Sequence, residues 1–311
     1  MNFRSLSDMN KTIAQNLHKV PSNIDLILGI PRSGLMAANV LAMHIQLPVS
    51  DSSSFIEGRI FSRDENLNWQ QTNVANYNNI LVIDDSLRSG RSMKKVRTEL
   101  ISTYPDKKFI FATVYMDKRS KDKADIYFEV CPVSRIFEWN IMNHKQISNF
   151  CIEMDGVLCE SINSEYIDNR EEYIDAIENA RPKYRFRRKI GYIITKRPEE
   201  FRKQTERWLK KYDIMYKELI MQDINTSEVN SKNKNISLVK AKHYKKHVYS
   251  RIFIESSFDC AYDIAHLSGK LVYCVDKAMI IQPKWIAAKK RKIKDLIIRS
   301  KNKIINIVCI K

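Results

Sequence analysis

Apolar residues in this chain fall into short unbroken runs, each followed by a polar turn and then a stretch with helical spacing. "IDLILGI" (24–30), "NILVIDD" (79–85) and "KFIFATVYMD" (108–117) are too continuous for strands with one wet face. They predict parallel strands covered by helices on both sides. After a junction near 145–150 the scheme repeats with "NFCIEMD", "IGYIIT" (190–195), "RIFIES" (251–256) and "LVYCV" (271–275). The pattern predicts an α/β protein with two parallel-sheet domains, 1–147 and 148–278. No sequence repeat relates the two halves, and no low-complexity linker separates them.

A third segment, 279–311, has a different pattern. In "KWIAAKKRKIKDLIIRSKNKIINIVCI" (284–310), Ile286, Ile293, Ile297, Ile304 and Val308 share one face at helical spacing, and Lys and Arg cover much of the rest. This predicts a basic amphipathic helix able to lie in an anionic membrane surface, with Trp285 in the headgroup region.

Charge sharpens that division. The formal net charge is +17, yet residues 279–311 hold ten basic side chains and one acidic one. The two expected domains carry only +4 each, so most of the excess belongs to the tail. Length fits two domains of ordinary size. The first twenty residues are polar and lack a signal-like apolar core. Nothing approaches the roughly 18 apolar residues of a membrane-spanning helix. Six cysteines without CxxC spacing read as small buried hydrophobes in a reducing compartment.

Two stretches carry chemistry in the first half. In "ILVIDDSLRSGRSM" (80–93), Asp84 and Asp85 end a buried strand, the place where open α/β sheets bind ligands. Ser86, Ser89, Gly90, Arg91 and Ser92 then form a tight turn into a helix. Its backbone N–H groups and hydroxyls suit an anion. Acids for sugar hydroxyls beside an anion cradle make a ribose-5-phosphate site. Upstream, "LGIPRSGLMAA" places Gly29, Arg32, Ser33 and Gly34 in a second strand-to-helix turn, with a guanidinium suited to phosphate.

Together these loops resemble the type I phosphoribosyltransferases over roughly residues 20–140. The resemblance implies that phosphoribosyl pyrophosphate (PRPP) and Mg²⁺ bind here. Asp84 and Asp85 would take the ribose hydroxyls, Ser86 to Ser92 the 5-phosphate, and Arg32, Ser33 and Gly34 the leaving pyrophosphate. Attack opposite an α-linked pyrophosphate gives a β-ribofuranoside.

The second half resembles the haloacid dehalogenase (HAD)-type phosphatases in motif order, with a small cap. The resemblance implies that Glu153 and Asp155 form the acid motif, Thr195 holds the phosphate, and Lys240 (with Lys242 as second choice) neutralises it. A magnesium would be held by Glu153, Glu255 and the backbone oxygen of Asp155. The first acid of that family is an aspartate nucleophile. Here the added methylene of Glu153 moves the carboxylate by about 1.5 Å, which favours phosphate binding over turnover.

A transferase followed by such a phosphatase resembles the dual-domain bacterial ribofuranosyltransferases of surface-polysaccharide synthesis. What this implies is transfer of 5-phosphoribose from PRPP to a glycan hydroxyl, then removal of the 5-phosphate. Glu138 and Trp139 at the junction are candidates for the acceptor side or for a structural contact, and Asp85 and Glu138 for the general base. The expected partners are PRPP, a lipid-linked glycan, an anionic membrane surface through 284–310, and a second copy of the chain. The expected location is the inner face of the cytoplasmic membrane. Nucleic acid is not expected. Two other readings share the donor motif: a nucleotide-salvage base phosphoribosyltransferase fused to a nucleotidase, and a PRPP-sensing RNA-binding regulator.

Overall fold

The computed structural model describes residues 1–63, 69–72, 74–162, 169–222 and 234–283. The tail helix expected after residue 283 lies outside the described residues. The chain divides into two compact units, Met1–Trp139 and Asn140–Lys311.

The first unit is built on a five-stranded, all-parallel sheet. In spatial order its strands are Val49–Asp51, Leu26–Gly29, Asn79–Leu87, Lys108–Met116 and Ile126–Val130. Alternate residues feed two cores, which explains the unbroken apolar runs. Ile27, Leu81, Ile83 and Val114 pack on one face with Met9 and Ile13 of the helix Leu6–Gln15. Leu26, Leu28, Val82 and Phe111 pack on the other with Met93 and Leu100 of the helix Arg91–Thr103.

The central strand runs further than the sequence pattern suggests. Asn79–Leu87 continues past both acids because Ser86 and Leu87 pair with Tyr115 and Met116, and Leu87 is buried. Ser86 is therefore a strand residue, and the turn into the helix begins after Leu87.

Outside the main sheet, Asn2–Arg4 pairs in parallel with Arg135–Phe137. Ser5 caps the first helix, with a reciprocal bond from its own N–H to Asp8. This small ladder holds the aromatic segment that ends the unit.

The second unit has a six-stranded sheet in the order Tyr216–Gln222, Ile190–Pro198, Cys151–Ile152, Ile252–Glu255, Leu271–Cys274 and Met279–Ile281. The first five strands are parallel, and the last is antiparallel to its neighbour. Met279–Ile281, assigned from sequence to the start of the tail helix, is thus an edge strand. Its apolar side chains cover the sheet core, where Ile281 is fully buried. No helix among the described residues is long and apolar enough to cross a membrane. The five described cysteines are free.

Candidate functional site

In the first unit, strand Leu26–Gly29 leads through Pro31 and Arg32 into the helix Ser33–Ile45. This helix packs against the end of the Asp84 strand at Gly34. A Cβ there would lie 2.8 Å from the Ile83 carbonyl oxygen and 3.1 Å from Asp84 Oδ1, so only glycine fits. Gly29 is equally constrained, since a Cβ would sit 2.6 Å from Leu35 Cα. The two glycines bring both candidate loops to one edge of the sheet.

The acid pair is held asymmetrically. Asp85 is buried and has both oxygens occupied: Ser33 Oγ donates to Oδ1 and Trp139 Nε1 donates to Oδ2, each at 2.9 Å. Asp84 Oδ1 accepts the Asp85 backbone N–H at 2.9 Å. Burial, reinforced by the neighbouring Asp85 carboxylate, pushes Asp84 up to about 8. Asp85 thus ties the first loop to the central strand and to Trp139, while Asp84 carries the cost of the close pair.

Trp139 is fixed by its own surroundings. Its ring stacks on Phe137 at 4.6 Å, and Phe137 stacks on the buried Tyr115 at 5.4 Å. Glu138, a candidate for the acceptor side, instead accepts the Leu6 N–H at 2.8 Å and so caps the first helix.

The second loop is secured from outside. Gly90 has φ +73°, a left-handed conformation that favours glycine. Ser120 Oγ donates to the Arg88 carbonyl at 2.6 Å, and Lys123 Nζ to the Ser89 carbonyl at 3.2 Å. Arg32, Arg91 and Ser92 are exposed at the helix starts. A cavity of about 410 Å³ opens beside Ser89, Gly90 and Arg91, lined also by Lys94, Lys123, Asp122 and the Arg97–Asp125 ion pair. Neither Lys123 nor the Trp139–Asp85 bond follows from local sequence, because each joins residues far apart in the chain.

Residues 4–145 match the family model of the phosphoribosyl transferase domain, and both loops lie within that range. Among solved structures, the chain is similar to the Helicobacter pylori xanthine-guanine-hypoxanthine phosphoribosyltransferase. Identity is 23%, over 45% of this chain and 93% of that one, with a TM-score of 0.36. It is also similar to the Pyrococcus horikoshii purine phosphoribosyltransferase, at 17% identity over 45% and 95%, with a TM-score of 0.33. No curated protein matches the sequence.

Beyond the transferase domain, the second unit collects Glu153, Asp155, Thr195, Lys240 and Glu255, all buried. Lys240 Nζ bonds Glu255 Oε2 at 2.9 Å and forms an ion pair with Glu153. Lys242, the second choice from sequence, is exposed. Glu255 Oε1 also accepts the Ser256 N–H at 3.0 Å.

Asp155 faces a cation that the sequence reading missed. Arg197, fully buried, donates from Nη2 to Asp155 Oδ1 at 2.6 Å and from Nε to both oxygens at 3.1 Å. The available signal was strand alternation, which puts Arg197 on the same face as Thr195. Gly156, at φ +83°, lets this loop approach Ser256, whose Oγ would lie 2.5 Å from a Cβ.

Glu153 and Glu255, expected to hold a magnesium with the backbone oxygen of Asp155, both engage Lys240, and the Asp155 side chain engages Arg197. Among the described residues no group of three or more His, Cys, Asp or Glu side chains is placed to hold a metal ion.

Proposed function

We propose that this protein transfers the 5-phosphoribosyl group of PRPP to a hydroxyl of a glycan acceptor, and that the second unit is an HAD-like domain that receives the 5-phosphorylated product. The observation that carries the reading is the adjoining Asp84–Asp85 pair, half-buried and buried, joined through Ser33 to the Arg32 loop within the range that matches the phosphoribosyl transferase domain.

The site's chemistry follows from what each group can do. Asp84, at the strand end, accepts from ribose hydroxyls. The amides and hydroxyls around Ser89 to Ser92 hold the 5-phosphate. Arg32 and the Ser33 backbone hold pyrophosphate as it departs from C1. Charge on the oxocarbenium-like sugar is stabilised mainly by fixed dipoles and carboxylates. Two adjoining carboxylates, one desolvated enough to sit at about 8, suit a hard divalent cation. Asp84 and Asp85 would hold the Mg²⁺ that accompanies PRPP, which supplies positive charge to the leaving group.

In the second unit, motif order and a parallel sheet with acids at the strand ends support the HAD-like reading. No step is drawn through a metal there, because the carboxylates are already paired with Lys240 and Arg197. The pairing favours holding a phosphomonoester near Thr195 and Lys240 over turning it over.

The test is incorporation of label from ribose-labelled PRPP into a synthetic glycan. The double variant Asp84→Ala/Asp85→Ala should abolish it while the protein stays folded. Undiminished incorporation would remove the donor-site assignment.

A further inference from the structure

The second unit carries a large open groove that the reactions above do not use. Its volume is about 900 Å³, and its lining includes Lys183, Tyr184, Arg185, Phe186, Arg187 and Tyr212. It belongs to "RPKYRFRRK" (181–189), where six of nine residues are basic and none is acidic. Lys211 adds charge from the facing helix end, and Asp213 is the one acid among the lining residues, set against four cations.

The composition is organised in space. Exposure alternates along 183–187, with Lys183, Arg185 and Arg187 exposed and Tyr184 and Phe186 half-buried. The segment thus presents exposed cations to solvent with more buried rings set between them. Among the described residues, none of Lys183, Arg185, Arg187 and Lys211 is paired with a carboxylate. Exposed guanidinium groups alternating with aromatic rings suit a chain that carries anions between ring-shaped units.

The groove is also tied to the acid loop. Lys183 N–H donates to the Leu158 carbonyl at 2.9 Å and Glu160 N–H to the Arg181 carbonyl at 2.9 Å. Lys183 Nζ donates to the Gly156 carbonyl at 2.7 Å. Gly156 directly follows Asp155, so the groove segment is bonded to the loop that carries the buried Asp155. The opposite wall is equally fixed, because Trp208 Nε1 donates to the Ala180 carbonyl at 2.7 Å.

We infer that this groove holds the anionic body of the glycan acceptor, a chain bearing phosphate or carboxylate groups along its length, and delivers its phosphorylated end to the neighbouring pocket. The inference rests on the glycan-acceptor reading. The rings favour a glycan over a single-stranded nucleic acid. Tyr184 and Phe186 meet edge-on, at 62° and 6.5 Å, so they offer no parallel platforms for successive stacked bases.

The experiment measures binding of the full-length protein to a fluorescent phosphodiester-linked oligosaccharide, across a salt series. An uncharged oligosaccharide and a thymidine oligomer of equal charge serve as comparison probes. Binding to the phosphodiester glycan should weaken about tenfold or more in Arg185→Glu/Arg187→Glu, and measurably in Tyr184→Ala/Phe186→Ala. Arg185 and Arg187 are exposed, Tyr184 and Phe186 half-buried, and unchanged melting temperatures confirm folding of both variants. Equal binding by the charge variant, or tighter binding of the thymidine oligomer, overturns the inference. Label incorporation from PRPP separates the two readings. If the unaltered protein does not bind the phosphodiester glycan while incorporation is intact, only the groove is removed, whereas groove binding without incorporation removes only the transfer reading.

Discussion

The indole N–H of Trp139 donates to Oδ2 of Asp85 at 2.9 Å, across 54 positions of sequence. With Ser33 on the other oxygen, this bond fixes the carboxylate before any ligand arrives. Pre-set polar groups of this kind cost no reorganisation during reaction.

Trp139→Phe keeps a ring to stack on Phe137 and removes only the donor. A hydrogen bond to a charged group contributes about 1.5–3 kcal/mol. Thermal unfolding of the variant should show a loss of that order, and PRPP-dependent transfer should fall with it. Unchanged stability and rate would mean that Asp85 is held by Ser33 alone.

Asp84 predicts a pH dependence whose sign is fixed by its shift. Its folded value of about 8 lies above the ordinary aspartate value of about 3.9. The folded state therefore binds more protons between those values, and the group's contribution to stability declines as pH rises from about 4 to about 8. Asp84→Asn removes the charge. It should raise the melting temperature at pH 9 relative to the parent, with little difference near pH 4. A pH-independent difference would contradict the burial argument.

Lys240 lies between two buried glutamates. Lys240→Met leaves both carboxylates without their shared cation, and breaking a buried pair costs about 3–5 kcal/mol. Denaturant titration should show that loss, and adding Glu153→Gln should restore part of it. A neutral effect would place the lysine outside the charge cluster.

Glu153 reaches Lys240 through one more methylene than an aspartate has. Glu153→Asp withdraws the carboxylate, and displacements near 1 Å change rates by about 100-fold. Phosphate release from a 5-phosphoribosyl glycan should rise by at least tenfold in this variant. No increase would show that the glutamate is not what limits the step.

Much of this arrangement was legible in the chain itself. The apolar runs around Leu28, Val82 and Phe111 marked two-sided burial, and the structure fills both faces. Asp84 and Asp85 stood out because two acids ending such a run are costly without a purpose. Local signals had less reach elsewhere. The strand passes beyond Asp85 because Ser86 and Leu87 pair with Tyr115 and Met116, a contact set by the neighbouring strand. Arg197 was overlooked beside Thr195, since only folding reveals that it is buried against Asp155. Met279–Ile281 was assigned to the basic tail by charge, yet its own three residues are uncharged and complete the sheet.

The most direct measurement is mass spectrometry of a synthetic glycan acceptor after incubation with the protein, PRPP and Mg²⁺. The acceptor should gain one 5-phosphoribosyl group, with slow conversion to ribosyl, and Asp84→Ala/Asp85→Ala should abolish the gain. An unmodified glycan, with the phosphoribosyl group appearing instead on a purine or pyrimidine base, would contradict the proposed acceptor.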